Sequence, residues 1–258
     1  QECIEFHRKD AASYSARLLT AQAYSEKGLP DKAEEVLLAN LSGELAPTSV
    51  EWRDSLFALG EMYYQLGRDQ DAIPRLEEFL RRYPQDPRTV KTQYYLGEIH
   101  FRIAWNRMIS SYNRQETPQN SATIRDPLLQ SLGYYRQVQN TLDSHWGTEE
   151  PTDETRKLLR NTYFGIGAAC YHLGQFNDAL AAYTTVTNRF QADPEVLDAY
   201  IEIARCRQAM GRPKDVRIAL EQARIVLARL PSETRFDQTT PFTRTEWAAR
   251  LTKLLQTP

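Results

Sequence analysis

The sequence predicts an all-α protein made of about five stacked helix–turn–helix repeats, followed by a C-terminal capping helix. Three observations support this fold class. Apolar residues recur at the three- and four-residue spacing of amphipathic helices along most of the 258-residue chain. Glycines mark short turns between successive helical stretches. No stretch has the alternating apolar pattern and hairpin turn that a β-sheet requires.

One repeat is clearest between Leu59 and Pro84. Gly60 lets its helix approach the next helix, Ala72 fits where the two helices cross, and Pro84 ends the second helix. This pattern resembles the tetratricopeptide repeat, which implies a right-handed superhelical solenoid with a concave surface for partners. The residues that carry the resemblance are Leu59, Gly60, Tyr63, Leu66, Gly67, Ala72, Leu76, Phe79, Tyr83 and Pro84.

Alignment of the turn glycines and of the alanines that follow them predicts a single array over residues 1–258. The other repeats match the second less completely, but each keeps its helical periodicity. The predicted repeats lie near 14–47, 53–87, 90–145, 160–194 and 197–230, with an insertion at 104–127 and a capping helix at 243–256.

The insertion makes the third repeat unusually long. The third and fourth repeats begin 70 residues apart, whereas a tetratricopeptide repeat occupies about 34. We expect the first helix of this repeat to continue to about Tyr112, followed by a polar, mobile loop at 114–125. Asp126 is then predicted to be the N-cap of a new helix, with Pro127 as its first residue. The loop is either functional or a tolerated insertion, and both interpretations remain open.

The C-terminal helix has a strong start signal. Thr243 and Glu246 have the spacing of a capping box, and Phe242 is placed to pack against Trp247 as a hydrophobic staple. We therefore predict a helix that covers the last repeat, with its apolar face formed by Trp247, Leu251, Leu254 and Leu255.

Composition excludes several classes of partner. Lys and Arg number 32 against 34 Asp and Glu, which gives a net charge of −2 and argues against nucleic acid or an anionic membrane surface as partner. No apolar run reaches the roughly 20 residues of a membrane-spanning helix. The first residues lack the basic and apolar segments of a signal peptide, so none is expected in this sequence.

The three cysteines do not form the pattern of a disulfide framework. Cys170 and Cys206 fall inside predicted helices and are interpreted as small buried apolar residues. A lipid-modified Cys3, as in a bacterial lipoprotein, is the alternative to a plain side chain at that position. The preceding Gln1 and Glu2 do not match the residues that lead into a lipoprotein cysteine.

The sequence contains no recognisable catalytic or metal-binding pattern. Gly165 and Gly167 are not preceded by a strand, so they are interpreted as small residues between packed helices rather than as a phosphate loop. The four histidines form no helical metal-binding pair, and no Gly-x-Ser-x-Gly turn is present. We therefore predict that the protein is not an enzyme and uses no cofactor or metal ion.

The resemblance also predicts a binding surface, because the first helix of each tetratricopeptide repeat lines the concave face. Aromatic residues seven positions apart would anchor a peptide or a helix, and charged residues between them would set its register. The alternative is that some of these aromatics pack against neighbouring helices. If the groove is not used, the stretch from Trp105 to Arg125 is the next docking surface. The predicted groove residues are Phe57, Glu61, Tyr64, Lys91, Tyr94, Glu98, Phe101, Arg102, Phe164 and Tyr171.

A narrower resemblance covers residues 50–145. The repeat end at 72–84, the following 94–97 and the motif at 125–127 resemble bacterial periplasmic repeat proteins around the D-component lipoprotein of the outer-membrane barrel-assembly machinery, and more loosely the Tol-Pal coordinator. The resemblance implies an envelope location and a role in membrane-protein assembly, with a protein or peptide partner. The alternative is a regulatory repeat module from a larger cytoplasmic enzyme or signalling protein.

Overall fold

The computed structural model describes residues 11–43, 45–113, 121–147, 150–236 and 240–256, and these residues contain eleven α-helices and no strand. The predicted all-α fold class is therefore confirmed. The helices are α1 (Ala11–Glu26), α2 (Pro30–Leu41), α3 (Val50–Gln65), α4 (Asp69–Arg82), α5 (Thr89–Asn113), α6 (Ala122–His145), α7 (Asp153–His172), α8 (Phe176–Arg189), α9 (Val196–Ala209), α10 (Pro213–Arg229) and α11 (Arg244–Gln256).

The chain divides into two compact units, residues 1–99 and residues 100–258, and the boundary falls within α5. In the first unit, α1 packs on α2 and α3, α2 on α3, and α3 on α4. In the second unit, each of the helices α6 to α10 packs on the next one in sequence. The single array over the whole chain stays a prediction.

Glycine allows close helix contact in both units, as the sequence predicts. A Cβ on Gly60 would lie 2.7 Å from Leu76 Cδ2, so any larger residue would push α3 away from α4. In the second unit, a Cβ on Gly167 would lie 2.5 Å from the Tyr183 ring. A Cβ on Gly165 would lie 2.4 Å from the ring of Tyr135 on α6. These glycines therefore serve packing, as interpreted from the sequence.

The turn between paired helices has the same geometry in four repeats. At Gly67, φ is +68°, Gly67 N–H donates to the Tyr64 carbonyl at 3.1 Å, and Arg68 N–H donates to the Tyr63 carbonyl at 2.9 Å. This is a Schellman motif, in which a left-handed residue closes the helix end. The same turn recurs at Gly28, Gly174 and Gly211.

Helix α5 lacks this turn and therefore runs on, as the insertion pattern predicts. Ala104 stands where the aligned repeats have their turn glycine, and an alanine in the left-handed region is strained. Helix α5 accordingly extends over 25 residues to Asn113. Ala104 is fully buried against Ile124 and Leu128 of α6.

The predicted start of the next helix is wrong by several residues. Helix α6 begins at Ala122, with Ser121 at its N-cap, so Asp126 and Pro127 lie inside the helix. A proline there leaves the carbonyl of the residue four positions earlier, Thr123, without its helical donor. Arg107 Nη1 donates to that carbonyl, which compensates for the missing bond. Residues 122–125 of the predicted loop are thus helical, and residues 114–120 lie outside the described residues.

The capping helix begins as predicted. Thr243 N–H donates to Glu246 Oε2 at 2.7 Å, and Glu246 N–H donates to Thr243 Oγ1 at 3.3 Å. The Phe242 and Trp247 rings lie 5.2 Å apart, which forms the expected staple. Trp247 and Leu251 are fully buried, so the apolar face of α11 covers the end of the second unit.

Cys170 and Cys206 are buried free thiols, as predicted, and burial raises the pKa of each thiol to about 11. Neither is therefore in the thiolate form that makes a cysteine reactive at neutral pH. Cys3 lies outside the described residues.

Candidate functional site

The predicted groove residues of the first unit are largely occupied by intramolecular contacts. Phe57 is only 7% exposed, and its ring centroid lies 5.3 Å from that of Phe79. The Arg88 guanidinium covers the Phe57 ring at 4.9 Å. Tyr64 stacks on Tyr95 at 4.1 Å between ring centroids. Phe57 therefore offers little surface to a partner, and one face of the Tyr64 ring is covered by Tyr95 within the unit.

Charged groove residues of the first unit also pair with one another. Lys91 Nζ lies 3.0 Å from Glu61 Oε1, and Tyr95 donates its hydroxyl proton to the same carboxylate. Tyr94 and Glu98 are half-buried. The polar contacts that the sequence assigns to a partner are thus partly made inside the unit, and the binding role of these residues stays a prediction.

The predicted groove residues of the second unit lie among other aromatic side chains. Phe101, Arg102, Phe164 and Tyr171 are all half-buried. Phe164 packs on Tyr183 at 6.0 Å between ring centroids. Tyr171 contacts Phe176 at 5.5 Å, and the Arg205 guanidinium lies over its ring at 5.0 Å. Phe101 and Tyr171 therefore belong to one aromatic region, whereas Phe164 belongs to the packing of α7 on α8.

That aromatic region borders a large cleft inside the second unit. The cleft has a volume of about 880 Å³, near the upper end of the range of small-ligand sites. It lies between the extension of α5, the start of α6, the turn from α7 to α8 and the end of α9. We call it the insertion cleft. Its lining residues are Trp105, Met108, Ile109, Tyr112, Ile124, Arg125, Leu128, Tyr171, His172, Leu173, Gly174, Phe176 and Ala209.

One wall of the insertion cleft is a row of exposed apolar side chains on α5. Trp105 is 45% exposed, Ile109 46% and Tyr112 79%. Their spacing of four and three residues places them on one face of the helix. Large apolar groups in such a row are uncommon on a free surface and mark interaction sites. We call these three residues the α5 stripe.

A cluster of rings forms the inner end of the cleft. The Trp105 ring lies 5.6 Å from His172 and 6.5 Å from Phe101, and Phe101 lies 6.0 Å from His172. Tyr171 meets His172 edge-on at 5.4 Å. These contacts fix the rings in place, so the apolar surface is formed before a partner arrives.

The electrostatics of the cleft are simple. Burial, and secondarily the nearby Arg205, lowers the pKa of the His172 imidazole below its ordinary value, so the ring is neutral at pH 7. Arg125 is then the charged residue among the described lining residues, and none of these is a carboxylate. The cleft is therefore apolar with a positive charge at its edge.

Sequence reasoning named this surface only as the alternative docking site. It found Phe101 and Tyr171 through the repeat positions and pointed to Trp105 to Arg125 through the insertion. It did not single out Met108 or Ile124 within that stretch, and it did not include Leu128; these residues line the cleft because α6 folds back on α5. The apolar spacing of 105, 109 and 112 was the available signal.

Comparisons with known proteins support the repeat class. A tetratricopeptide-repeat family model matches residues 54–86. The TPR-like repeats of a Podosopora anserina protein assigned as a kinesin light chain are 19% identical, cover 86% of this chain and 98% of that chain, and give a TM-score of 0.58. A MamA structure from AMB-1 is 15% identical, with coverages of 87% and 97% and a TM-score of 0.57. No curated protein sequence matches significantly.

These comparisons define the class of the protein. The chain contains a tetratricopeptide repeat at 54–86 and has the fold of tetratricopeptide-repeat proteins. Repeats of this kind stack into scaffolds that bind other proteins. At identities below one fifth the solved structures indicate the fold alone, and the narrower resemblance to envelope assembly proteins stays a proposal.

Two structural observations bear on other classes of function. Across the described ranges, no helix is both long enough and apolar enough to cross a bilayer. In the same part of the chain, no three His, Cys, Asp or Glu side chains lie close enough together to hold a metal ion.

Proposed function

We propose that the protein is a non-enzymatic interaction scaffold that binds a peptide or a helix of a partner protein on its aromatic surfaces. The observation that carries this proposal is the insertion cleft, an apolar cavity of about 880 Å³ beside three exposed apolar side chains. Rigid aromatic residues supply large contact area at little entropic cost, and such residues dominate binding energy at interfaces.

A peptide-display selection on the intact chain tests the proposal. We expect the selected peptides to be rich in apolar residues and to lose affinity when Trp105 is replaced by alanine. Truncation of a central aromatic anchor typically costs about 1–4 kcal/mol of binding. The matched control is Ile225→Ala, because Ile225 is an exposed helical residue outside the cleft. Failure to select any peptide, or equal losses in both variants, would contradict a specific binding surface.

Within this class, we propose a place in the bacterial cell envelope, in the assembly of membrane proteins. The support is the resemblance of residues 72–84, 94–97 and 125–127 to the outer-membrane assembly lipoprotein family. The alternative is a regulatory repeat module in the cytoplasm. Fractionation of cells that express the protein from its native gene distinguishes the two. Recovery with the envelope supports the proposal, and recovery with the cytosol overturns it.

A further inference from the structure

We propose that the occupant of the insertion cleft is an amphipathic α-helix of a partner protein, with its apolar face on the α5 stripe and an acidic residue beside Arg125. This inference rests on the proposed scaffold function and adds the chemistry of the partner.

The shape of the surface favours a helix. The stretch of α5 from Trp105 to Tyr112 contains eight residues and spans roughly 10 Å along the helix axis. The cleft opens beside this row, so side chains from one face of a second helix enter it while the backbone stays outside. Such side chains recur every three or four residues on the partner, as in other helix-in-groove complexes.

The walls of the cleft argue against an extended peptide. An extended backbone needs hydrogen-bond partners along its length, because an unpaired polar group costs free energy when it is buried. The described walls are mostly helical segments, whose interior backbone groups are paired within the helix, and most of the lining side chains are apolar, so an extended ligand finds few backbone partners. A helical ligand satisfies its backbone internally and therefore meets such walls without loss.

The charge of Arg125 at the edge of the cleft favours partner helices that carry an acidic residue. Arg125 is exposed, and within the described part of the chain no carboxylate forms an ion pair with it. It lies in the first turn of α6, which has no acidic residue and whose N-cap, Ser121, makes no side-chain capping bond. Asp126 follows Arg125 in the helix but is not among the residues that line the cleft. The partial positive charge of the helix N-terminus therefore adds to that of Arg125. An acidic group on the partner is attracted here, and a basic one is repelled.

Designed peptides test this inference on the intact chain. The probes are three capped peptides of about 18 residues, roughly five helical turns. The first has leucines on one face and glutamates at one end, the second has lysines instead of these glutamates, and the third has the first composition in scrambled order. Calorimetry measures each affinity for the natural chain, for Arg125→Glu and for Arg136→Glu. Arg136 is the matched control because it is exposed on the same helix outside the cleft.

We expect the glutamate peptide to bind about tenfold more tightly than the lysine peptide, a typical effect of one charge reversal at an interface. Arg125→Glu should reverse this order, and Arg136→Glu should leave it unchanged. The scrambled peptide should bind at least tenfold more weakly than the glutamate peptide. A glutamate in the first turns of α6 is favourable for the helix, so the Arg125 variant is expected to fold.

Other outcomes separate the two proposals. Equal affinities for the glutamate and lysine peptides, both lost in Trp105→Ala, would overturn the charge selection and leave the scaffold function intact. Binding of display-selected peptides that ignores Trp105, with no binding of the designed helices, would overturn the helical occupant alone. Absence of binding by both sets would remove the scaffold function itself.

Discussion

An arginine–aspartate ion pair occurs at the same position in the second and in the fourth repeat, but the sign of the most buried charge differs between the two. Arg53 and Asp86 in the first unit correspond by repeat position to Arg160 and Asp193 in the second unit. Arg53 Nε lies 3.3 Å from Asp86 Oδ2, and Arg160 Nη1 lies 2.7 Å from Asp193 Oδ2. Each aspartate precedes a proline that leads to the next helix.

A third charged residue joins each ion pair, and it is basic in the second repeat but acidic in the fourth. In the second repeat it is Arg88, whose Nη2 lies 2.8 Å from Asp86 and 2.7 Å from Asp54. In the fourth repeat the corresponding residue is Glu195, which contacts Arg160. The most buried charge is therefore an acid, Asp86, in one repeat and a base, Arg160, in the other.

The end of the repeat therefore requires that its buried charge is compensated, whether that charge is negative or positive. A buried charge is tolerated when opposite charges surround it. Removal of the most buried charge of such a group leaves its partners buried without compensation. In the second repeat Arg53 and Arg88 both pair with Asp86 and with Asp54. In the fourth repeat Asp193 and Glu195 both pair with Arg160, and Asp193 also pairs with Arg156, so Glu195 is the carboxylate that relies on Arg160. The consequences of a mutation should therefore differ between the two repeats.

Arg160→Ala is expected to give the largest effect. Arg160 and Glu195 are 7% and 8% exposed at their side chains, so the variant leaves a buried carboxylate without its arginine. Breaking a buried pair in this way costs about 3–5 kcal/mol. Arg53→Ala should cost only about 1 kcal/mol because Asp86 keeps Arg88. Urea unfolding of both variants measures the difference.

The double variant Arg160→Ala with Glu195→Ala serves as the control. It removes the stranded Glu195 carboxylate and should recover part of the lost stability. Equal unfolding free energies for Arg160→Ala and Arg53→Ala would contradict the expected difference between the two repeat ends.

The pH dependence of the second repeat gives the next largest effect. The Arg88 side chain, more than any other group, holds the pKa of the Asp86 carboxyl at about 2, below its ordinary 3.8. A lowered folded-state pKa stabilises the protein above pH 4, and this contribution is lost as the pH falls towards 2. Its size is about 2 kcal/mol. Asp86→Asn should therefore lower the free energy of unfolding at pH 7 but not at pH 2. A loss of the same size at both pH values would mean that Asp86 acts through packing rather than charge.

An effect of opposite sign and similar size is expected at Asp198, whose counterpart in the third repeat is Lys91. Burial above all raises the pKa of the Asp198 carboxyl to about 6, with Arg250 opposing and Glu202 and Glu195 reinforcing the shift. The folded state then disfavours the charged form, so stability falls as the pH rises from 4 to 6 and stays lower above it. Asp198→Asn should gain about 2–3 kcal/mol at pH 8 and much less at pH 4. Thermal melts at the two pH values measure this. A loss of stability at pH 8 would show that the carboxylate is paired.

Local signals predicted the fold, whereas contacts between distant residues decided what failed. The turn glycines, the capping box at Thr243 and the close contact at Gly60 were readable because each depends on neighbouring residues or on one repeated position. The start of α6 was misplaced because Asp126 and Pro127 form a local helix-start signal. Arg107, far along the chain, satisfies the carbonyl that Pro127 leaves free.

The binding surface was harder to predict for the same reason. An aromatic residue at a concave position of a repeat either faces a partner or packs against neighbouring helices, and the sequence alone does not distinguish these two arrangements. Arg88 closes over the Phe57 ring, which decides that case in favour of packing. For Phe101 the outcome depends on α6 and on His172, which bring further apolar surface to it.

The last comparison is between Tyr94 and Phe101, two turns apart on α5 and in different units. Each is half-buried, so replacement by alanine should lower stability by only about 1 kcal/mol. Phe101 touches Trp105 and His172, which line the insertion cleft, whereas Tyr94 contacts Tyr95 and is not among the residues that line the cleft. Phe101→Ala should weaken a cleft-bound peptide by about 1–4 kcal/mol, the range for an aromatic anchor.

The response of Tyr94 decides how far the binding surface extends. An equal loss of affinity in Tyr94→Ala, measured by calorimetry with the same peptide, means that the partner also uses the groove residues predicted in the first unit. Unchanged affinity in Tyr94→Ala confines binding to the cleft. Unfolding of either variant in a thermal melt would instead make that residue part of the core, because a partner-facing side chain carries little of the folding free energy.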